Sequence, residues 1–171
     1  FLGDYAFTVC KNDDTLAVFN ISAHGNPVPI GTYNDSECDY SLDVVYAVFV
    51  PGDYAYTAFN GAVFDDADTI AVWNISAHGN PVPVGTYTAS SGDYSLDGTQ
   101  SVFVSGDYAY TVSYADDTLA VWNISAHGNP VPIGTYNDSE GDYSLDGATD
   151  VFVLGDYAYT VSQHDDTLAV F

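Results

Sequence analysis

Pairs of aspartates recur along the chain, and their type and spacing could support chemistry. Each pair stands close before a short apolar run, and the four pairs are Asp13 with Asp14, Asp65 with Asp66, Asp116 with Asp117, and Asp165 with Asp166. Ca²⁺ binds clusters of carboxylate and carbonyl oxygens, so these side chains are candidate calcium ligands. The alternative is that they shape turns, because aspartate side chains accept hydrogen bonds from nearby backbone amides. No stretch has the ligand spacing of an EF-hand loop, and both interpretations stay open.

Three histidines, His24, His78 and His127, occupy the same place in identical loops of sequence Ser-Ala-His-Gly-Asn-Pro. Imidazole is a common zinc ligand, so three equivalent histidines could suggest a metal site. We expect them to lie about 20 Å or more apart, since each belongs to its own repeat and adjacent strands alone are about 4.8 Å apart. Copying of one motif therefore explains the histidines better than a shared metal ion. His164 stands alone in a turn, and we expect it to be solvated.

The histidine loops also carry an Asn-Ile-Ser sequence, which is an acceptor for N-glycosylation. Two further acceptors have the sequence Asn-Asp-Ser, which gives five candidate glycosylation sites: Asn20, Asn74, Asn123, Asn34 and Asn137. The alternative is that each asparagine caps its loop with its side-chain amide. Attached glycans would give a chain with almost no cations a solvated coat that needs no charge.

The two cysteines replace residues that the other repeats hold in common. Cys10 stands where later copies have Ser113 and Ser162, and Cys38 stands where they have glycine. Both changes fall in the same repeat, on loops expected at the same face, so we predict a disulfide between Cys10 and Cys38. Such a bond would stabilise the fold by about 3 kcal/mol and would imply an oxidising compartment. The alternative is two unrelated thiols.

The composition excludes several classes of function. The 171 residues carry a formal net charge of −23, with Lys11 as the single cation and no arginine. Nucleic acids and anionic membrane surfaces need clustered lysine and arginine, so neither is an expected partner. No apolar run approaches the roughly 20 residues of a membrane helix. The apolar content of 47% is too high for an acidic disordered chain. No Gly-rich phosphate loop or Gly-x-Ser-x-Gly sequence occurs, and we expect no enzyme activity.

Internal repeats decide the expected fold. A Gly-Asp-Tyr-Ala unit begins at Gly3, Gly52, Gly106 and Gly155, and one period contains four strand-like segments, over 101–104, 108–112, 118–122 and 131–136. Pro132 removes a backbone donor, so the fourth segment should be an edge strand. The chain is predicted to be a single all-β domain, 1–171, of β-propeller blades with four antiparallel strands each. The alternative is a β-solenoid.

The repeat also resembles a known family. Gly-Asp-Tyr-Ala-Tyr, then Asp-Thr-Leu-Ala-Val-Trp-Asn-Ile-Ser, then Gly-Asn-Pro-Val-Pro-Ile-Gly-Thr-Tyr is similar to the LVIVD repeat of bacterial and archaeal surface and secreted propellers. The resemblance covers essentially the whole chain and implies the blade fold, while the family has no single assigned activity. The chain departs from the family at Asn20, Asn74 and Asn123, where the family usually has aspartate, and this departure creates three of the acceptor sequences.

The outermost repeats are incomplete. The units are 1–44 (partial), 45–98, 99–147 and 148–171 (partial), which predicts 14 strands, with three in each outer unit. If strands alternate in direction, the aspartate turns lie on one face and the histidine loops on the other. Exposed strand edges pair readily with other chains, and head-to-tail contacts build rings or fibres.

These observations predict an extracellular or cell-surface structural or adhesion protein that assembles with copies of itself into a fibre, ring or surface layer. The alternative is a propeller module that binds carbohydrate or Ca²⁺, and a hydrolase is a weaker candidate. Ca²⁺ is the one cofactor considered, and glycans and further copies of the chain are the expected partners.

Overall fold

The fold is taken from a computed structural model, which describes residues 3–10, 14–23, 25–34, 42, 45–59, 68–89, 96–138 and 145–171. Fourteen strands are present in the described residues: β1 (Tyr5–Cys10), β2 (Thr15–Asn20), β3 (Val28–Asn34), β4 (Val45–Phe49), β5 (Tyr54–Phe59), β6 (Thr69–Asn74), β7 (Val82–Thr88), β8 (Thr99–Ser105), β9 (Tyr108–Ser113), β10 (Thr118–Asn123), β11 (Val131–Asn137), β12 (Ala148–Leu154), β13 (Tyr157–Ser162) and β14 (Thr167–Val170). This part of the chain has no helix with the length and apolar character needed to span a bilayer.

The strands form four antiparallel meanders, which we name blades 1 to 4. Blade 1 has the order β1-β2-β3, blade 2 β4-β5-β6-β7, blade 3 β8-β9-β10-β11, and blade 4 β12-β13-β14. The predicted strand number and all-β class are confirmed. All strand pairings among the described residues are antiparallel. The described strands therefore do not form the stacked parallel coils of a β-solenoid.

The proline-bearing strands β3, β7 and β11 lie at the edges of their sheets, as predicted for the fourth segment of the repeat. Pro132 lies in β11, which pairs only with β10 within its sheet. The register passes from Val121 opposite Gly134 to Trp122 opposite Pro132, so a bulge falls beside the residue that lacks a backbone donor. β3 and β7 repeat this irregularity at the same position.

Apolar side chains between successive blades form the core. Tyr56, Ile70 and Val72 of blade 2 are fully buried against Val102 and Trp122 of blade 3. Similar clusters lie between blades 1 and 2 and between blades 3 and 4. The inner strands of blades 2 and 3 therefore use both faces, one against the preceding blade and one against the following blade. This explains why the segments are more uniformly apolar than strands with a solvated face.

The indole nitrogens of the core tryptophans are satisfied within their own blades. Trp73 Nε1 donates to Thr57 Oγ1 at 2.9 Å, and Trp122 Nε1 donates to Thr111 Oγ1 at 3.0 Å. Both threonines are fully buried. A buried N–H without an acceptor would be destabilising, so the repeated threonine of the second strand is needed by the repeated tryptophan of the third strand.

The first strands of successive blades lie next to one another, and β4, β8 and β12 follow in that order. Their phenylalanines form a continuous row. The ring centroids of Phe49 and Phe103 are 4.6 Å apart, and those of Phe103 and Phe152 are 5.0 Å apart. Ser101 Oγ donates to Asp150 Oδ1 at 2.7 Å between the same two strands of blades 3 and 4. The inner strands thus fix one blade against the next.

Candidate functional site

The described aspartates of the turns lie on one rim of the blades, together with the loops that follow the fourth strands. We call this the acidic rim; in the described residues it comprises Asp14, Asp68, Asp97, Asp116, Asp117, Asp138, Asp146, Asp165 and Asp166. Asp116 Oδ2 accepts a hydrogen bond from the Asp97 backbone N at 3.1 Å. Asp117 Oδ1 accepts one from the backbone N of Gly147, which leads into blade 4, at 3.0 Å. These carboxylates therefore hold neighbouring loops together.

The second aspartate of each described pair also has a backbone role. Asp14, Asp117 and Asp166 have φ angles of 48°, 52° and 52°. Aspartate tolerates this left-handed conformation better than most residues, because its short polar side chain can bond locally. These three aspartates therefore shape the backbone of their turns, and calcium binding by the pairs stays a prediction.

Calcium binding by the aspartate pairs was the functional interpretation of the acidic rim. No group of three or more His, Cys, Asp or Glu side chains that could hold a metal ion occurs within the described parts of the chain. Asp13, Asp65 and Asp66 lie outside the described residues. The pKa of the Asp116 carboxyl is raised, first by burial and then by the charge of Asp97. A resident cation would offset that repulsion.

A hydrogen-bonded chain of three side chains crosses from blade 3 to blade 4 on the acidic rim. The Tyr114 hydroxyl lies 2.5 Å from His164 Nε2, and His164 Nδ1 lies 2.7 Å from Asp146 Oδ1. The His164 and Asp146 side chains are 49% and 51% exposed. A hydroxyl, an imidazole and a carboxylate in this order have the connectivity of a nucleophile, its base and the group that orients the base. The three side chains link blade 3 to blade 4.

His164 is exposed, as expected, and it also contacts Tyr114 and Asp146, which the sequence analysis did not anticipate. The sequence did contain a signal, because Tyr114 and His164 differ from their counterparts, Gln163 and Ala115, in neighbouring repeats. Two departures on facing turns of adjacent repeats indicate a local contact. Neither departure alone indicates a partner, because each contact joins two different repeats.

The histidine loops lie on the opposite rim and contact the preceding blade. His78 stacks on Tyr5 with ring centroids 4.0 Å apart, and His127 stacks on Tyr54 at 3.9 Å. His24 lies outside the described residues. The repeated histidine is thus a contact between blades, a role that comparison of the copies alone did not suggest.

The histidines of the two described loops, His78 and His127, differ in one hydrogen bond. His127 Nδ1 lies 2.7 Å from the Tyr56 hydroxyl. Burial, followed by the charges of Tyr54 and Asp107, raises the pKa of Tyr56 to about 12, so its phenol stays protonated. At the equivalent place beside His78 stands Phe7, and His78 Nδ1 is buried with no partner among the described residues. His78 Nδ1 therefore lacks a hydrogen bond because Phe7 has no hydroxyl where Tyr56 has one.

The described acceptor asparagines form tight turns with the serine two residues later. Asn123 Oδ1 accepts from the backbone N of Ser125 at 3.0 Å and from its Oγ at 2.7 Å. Asn20 and Asn74 repeat the geometry. Asn137 differs, because its Nδ2 donates to the Asp116 carbonyl at 3.0 Å. The asparagines of the histidine loops therefore cap those loops with oxygen alone, which leaves glycosylation at their Nδ2 a prediction.

Two other sequence predictions depend on residues that are not described. Cys10 ends β1, but Cys38 lies outside the described residues, so the disulfide stays a prediction. Asn34 ends β3, while the serine of its acceptor sequence also lies outside them.

One broad apolar face of blade 4 is open. Leu119 of blade 3 is 5% exposed beneath blade 4, whereas its counterpart Leu168 is 67% exposed. Val112 and Val161 show the same contrast, at 0% and 41%. The corresponding face of blade 2 is fully covered by blade 3. Blade 4 thus presents the surface that a following blade covers elsewhere in the protein.

The comparisons with known proteins agree with this architecture. A family model described as "LVIVD repeat" matches residues 45–89, 98–138 and 147–170. No curated protein gives a significant match.

Solved structures match at the level of the fold. A candidate 6-phosphogluconolactonase from Bacteroides uniformis matches with a TM-score of 0.70 and 18% identity, over 99% of this chain and 50% of that one. The periplasmic gluconolactonase of Pseudomonas aeruginosa gives 0.66 and 14%, over 99% and 47%. The computationally designed Ika4 protein gives 0.60 and 15%, over 98% and 84%. The chain spans about half the length of the first two, and such low identities show the fold alone.

Proposed function

Because the chain belongs to the LVIVD repeat family, we propose that it is a non-enzymatic structural or adhesion protein of the cell surface or extracellular space that associates with copies of itself. The observation that carries this proposal is the open apolar face of blade 4. Its exposed members are Phe152, Leu154, Tyr157, Val161, Leu168 and Val170. A contiguous apolar surface of this kind is typical of an interaction site.

The other end of the array supplies a complementary face. Thr57, Thr111 and Thr160 are fully buried, each on the side of its blade that faces the preceding blade. Their counterpart in blade 1, Thr8, is exposed. The exposed face of blade 1 and the open apolar face of blade 4 are different surfaces. A contact between them in two copies would be head-to-tail, and such contacts lead to rings or filaments.

Charge shapes the conditions for this association. Each copy has a formal net charge of −23, so copies repel one another at low ionic strength. At about 0.15 M salt the Debye length is about 8 Å, and repulsion between exposed charges is largely screened. We therefore expect association through the apolar faces to strengthen as salt is added, which is opposite to the behaviour of a contact held by ion pairs.

Sedimentation velocity over a range of protein and salt concentrations tests the proposal. The wild-type chain is expected to form dimers or larger species, and Leu168→Glu is expected to remain monomeric with unchanged circular dichroism. The matched control is Ile133→Glu, because Ile133 is also exposed, at 50%, but lies on the edge strand β11. A wild-type chain that is monomeric at all concentrations and salt levels would rule out self-association.

The location is supported by the acceptor asparagines and the predicted disulfide. We propose that Asn20, Asn74 and Asn123 carry glycans in an oxidising compartment, since their turns leave Nδ2 without a hydrogen bond to the described residues. The intact mass of native material tests this. It should exceed the 18.2 kDa polypeptide by several glycan units and change on reduction and alkylation. A bare polypeptide mass would remove the glycoprotein assignment.

A carbohydrate-binding role is the second candidate, and one observation favours it. The inner strands line a pocket with a volume of about 430 Å³. Its lining includes Tyr46, Phe49, Phe103, Gln100 and Asp150. Aromatic faces beside amide and carboxylate groups suit sugar rings. Hydrolysis of a phosphorylated sugar acid is less well supported, because the chain has Lys11 as its single cation for a phosphate. Screening of the labelled protein on a glycan array would identify a sugar ligand directly.

A further inference from the structure

The link formed by Tyr114, His164 and Asp146 has a chemical order that the proposed function does not use. The Tyr114 hydroxyl lies 2.5 Å from His164 Nε2, and His164 Nδ1 lies 2.7 Å from Asp146 Oδ1. Each side chain therefore contacts the next through one defined atom. A hydroxyl here meets a proton acceptor whose other nitrogen is held by a carboxylate, which is the order of an activated nucleophile.

The backbone of the turn brings the imidazole to the carboxylate. His164 N donates to the Asp146 carbonyl at 3.3 Å, and in blade 3 the equivalent Ala115 N donates to the Asp97 carbonyl at 3.2 Å. Both turns thus bring the same two positions together, but of these two turns only that of blade 4 has an imidazole there. The contact between His164 and Asp146 therefore follows from the side chain at 164 and needs no special backbone.

Gly147 gives the two rings room to meet. A Cβ on this residue would lie 3.1 Å from His164 Cγ and Nδ1 and 3.1 Å from Tyr114 Cε2. Its φ of 67° is also one that glycine adopts more readily than other residues. Gly147 N donates to Asp117 Oδ1 at 3.0 Å, which holds the glycine against the turn of blade 3. The imidazole and the phenol are thereby packed against the same short backbone segment.

The carboxylate determines which imidazole nitrogen carries the proton. When the imidazole is neutral, its Nδ1–H donates to the ionised Asp146, so Nε2 has a lone pair and accepts from the Tyr114 hydroxyl. A proton that leaves the phenol passes to Nε2, and Asp146 stabilises the imidazolium that forms. His164 is thus placed as a general base for Tyr114, and Asp146 is the positioning residue of that base.

The site is open to a reagent from solvent. His164 and Asp146 are 49% and 51% exposed, and Tyr114 is partly buried. Ala115, the counterpart of His164 in blade 3, is exposed although blade 4 follows it. Exposure at this position of the repeat therefore does not depend on an open end of the array.

We propose that Tyr114 is a nucleophilic tyrosine and a site of O-acylation, with His164 as its general base. The phenol oxygen forms a bond to the acyl carbon, and the bond from that carbon to the leaving group breaks. The phenol proton goes to His164 Nε2 and then to the leaving group, so His164 is regenerated. The carboxylates of the acidic rim repel anionic donors, and the expected substrate class is therefore an uncharged activated acyl donor.

Acetylation by N-acetylimidazole, which is an uncharged acyl donor, tests the proposal. The full chain is treated with a limiting amount of reagent and digested with pepsin, and mass spectrometry gives the acetylation rate of each tyrosine. We expect Tyr114 to react at least about tenfold faster than Tyr108, since general-base assistance contributes about 10²–10⁴-fold in enzymes. Tyr108 is the internal reference, because it is 43% exposed and its hydroxyl has no hydrogen-bond partner within the described residues.

Three variants separate base assistance from simple exposure. His164→Ala, which gives this turn the residue of blade 3, should lower the Tyr114 rate at least about tenfold. Asp146→Asn should lower it about fivefold, because the imidazolium loses its ionic partner. Gln163→Ala is the matched control, since Gln163 is exposed on the same turn and its side chain is not part of the link. Loosening of the junction would expose Tyr114 and raise its rate, so lost structure does not explain a lower one.

The outcomes decide the proposal without reference to self-association, because each rate is measured against Tyr108 in the same molecule. Equal rates at Tyr114 and Tyr108 overturn it. An unchanged Tyr114 rate in His164→Ala or Asp146→Asn, or an equal loss in Gln163→Ala, also overturns it. Should His164→Ala not fold, the comparison of Tyr114 with Tyr108 in the wild-type chain and the Asp146→Asn rate still decide the proposal.

Discussion

The two described histidine junctions differ by one phenolic oxygen, and this difference can be turned into a stability measurement. His127 Nδ1 is 2.7 Å from the Tyr56 hydroxyl, while His78 Nδ1 is buried beside Phe7 and has no partner among the described residues. The stacking distances of 3.9 Å at His127 and 4.0 Å at His78 are nearly equal. A hydroxyl added to Phe7 should therefore reach the His78 nitrogen much as that of Tyr56 reaches His127.

The expected magnitudes follow from the cost of an unpaired buried group. Phe7→Tyr should raise the free energy of unfolding by about 1 kcal/mol, the net value of a typical hydrogen bond. Tyr56→Phe should lower the free energy of unfolding by about 1–3 kcal/mol, because it leaves His127 Nδ1 without its hydrogen-bond partner. For a chain of this size each kcal/mol corresponds to about 2–4 °C in the thermal midpoint. The two changes thus move the midpoint in opposite directions by amounts that calorimetry resolves.

Thermal unfolding of the variants under one set of conditions provides the assay. The matched control is Tyr159→Phe, because Tyr159 is the counterpart of Tyr56 in blade 4 and contacts no histidine in the described part of the chain. Removal of its hydroxyl should change the midpoint by less than about 2 °C, because a typical surface substitution changes the free energy of unfolding by at most about 0.5 kcal/mol. Equal losses for Tyr56→Phe and Tyr159→Phe, together with no gain for Phe7→Tyr, would refute the reasoning.

Further predictions concern glycine contacts and the acidic rim. Gly85→Ala should destabilise the fold by about 1–3 kcal/mol in urea unfolding, because its Cβ would lie 2.2 Å from the Gly128 carbonyl oxygen. His164→Ala should cost about 1 kcal/mol and increase hydrogen exchange in blade 4, since it breaks an exposed link between blades. Asp116→Asn should stabilise the protein at pH 7, because the raised pKa of Asp116 means that its charged form opposes folding. That gain should vanish as the pH falls through this pKa, and a constant gain would contradict it.

The fold was predictable because its determinants are local to one repeat. Alternating residues such as those of 108–112, the turns that follow them and the edge position of Pro132 each depend on neighbours in sequence. Copying of the pattern then fixes the architecture for the whole chain. The row formed by Phe49, Phe103 and Phe152 follows from placing equivalent strands side by side.

The contacts between blades were harder to predict because each one joins non-equivalent parts of two repeats. Comparison of the copies aligns His78 with His127 and Tyr5 with Tyr54, but it does not show that His127 lies on Tyr54. Without that pairing the difference between Phe7 and Tyr56 looks like a conservative exchange. The close approach of Gly85 to Gly128 is hidden in the same way, since neither glycine has a positive φ to mark it.

The direction in which each histidine loop reaches has a consequence for growth of the array. The loops of His78 and His127 each rest on the blade before them, so these junctions have a polarity, with one blade that supplies the loop and one that receives it. Addition of a whole unit repeats an existing junction and needs no new surface. The protein is thereby suited to change its length by duplication or loss of single units, with the geometry of each remaining junction unchanged.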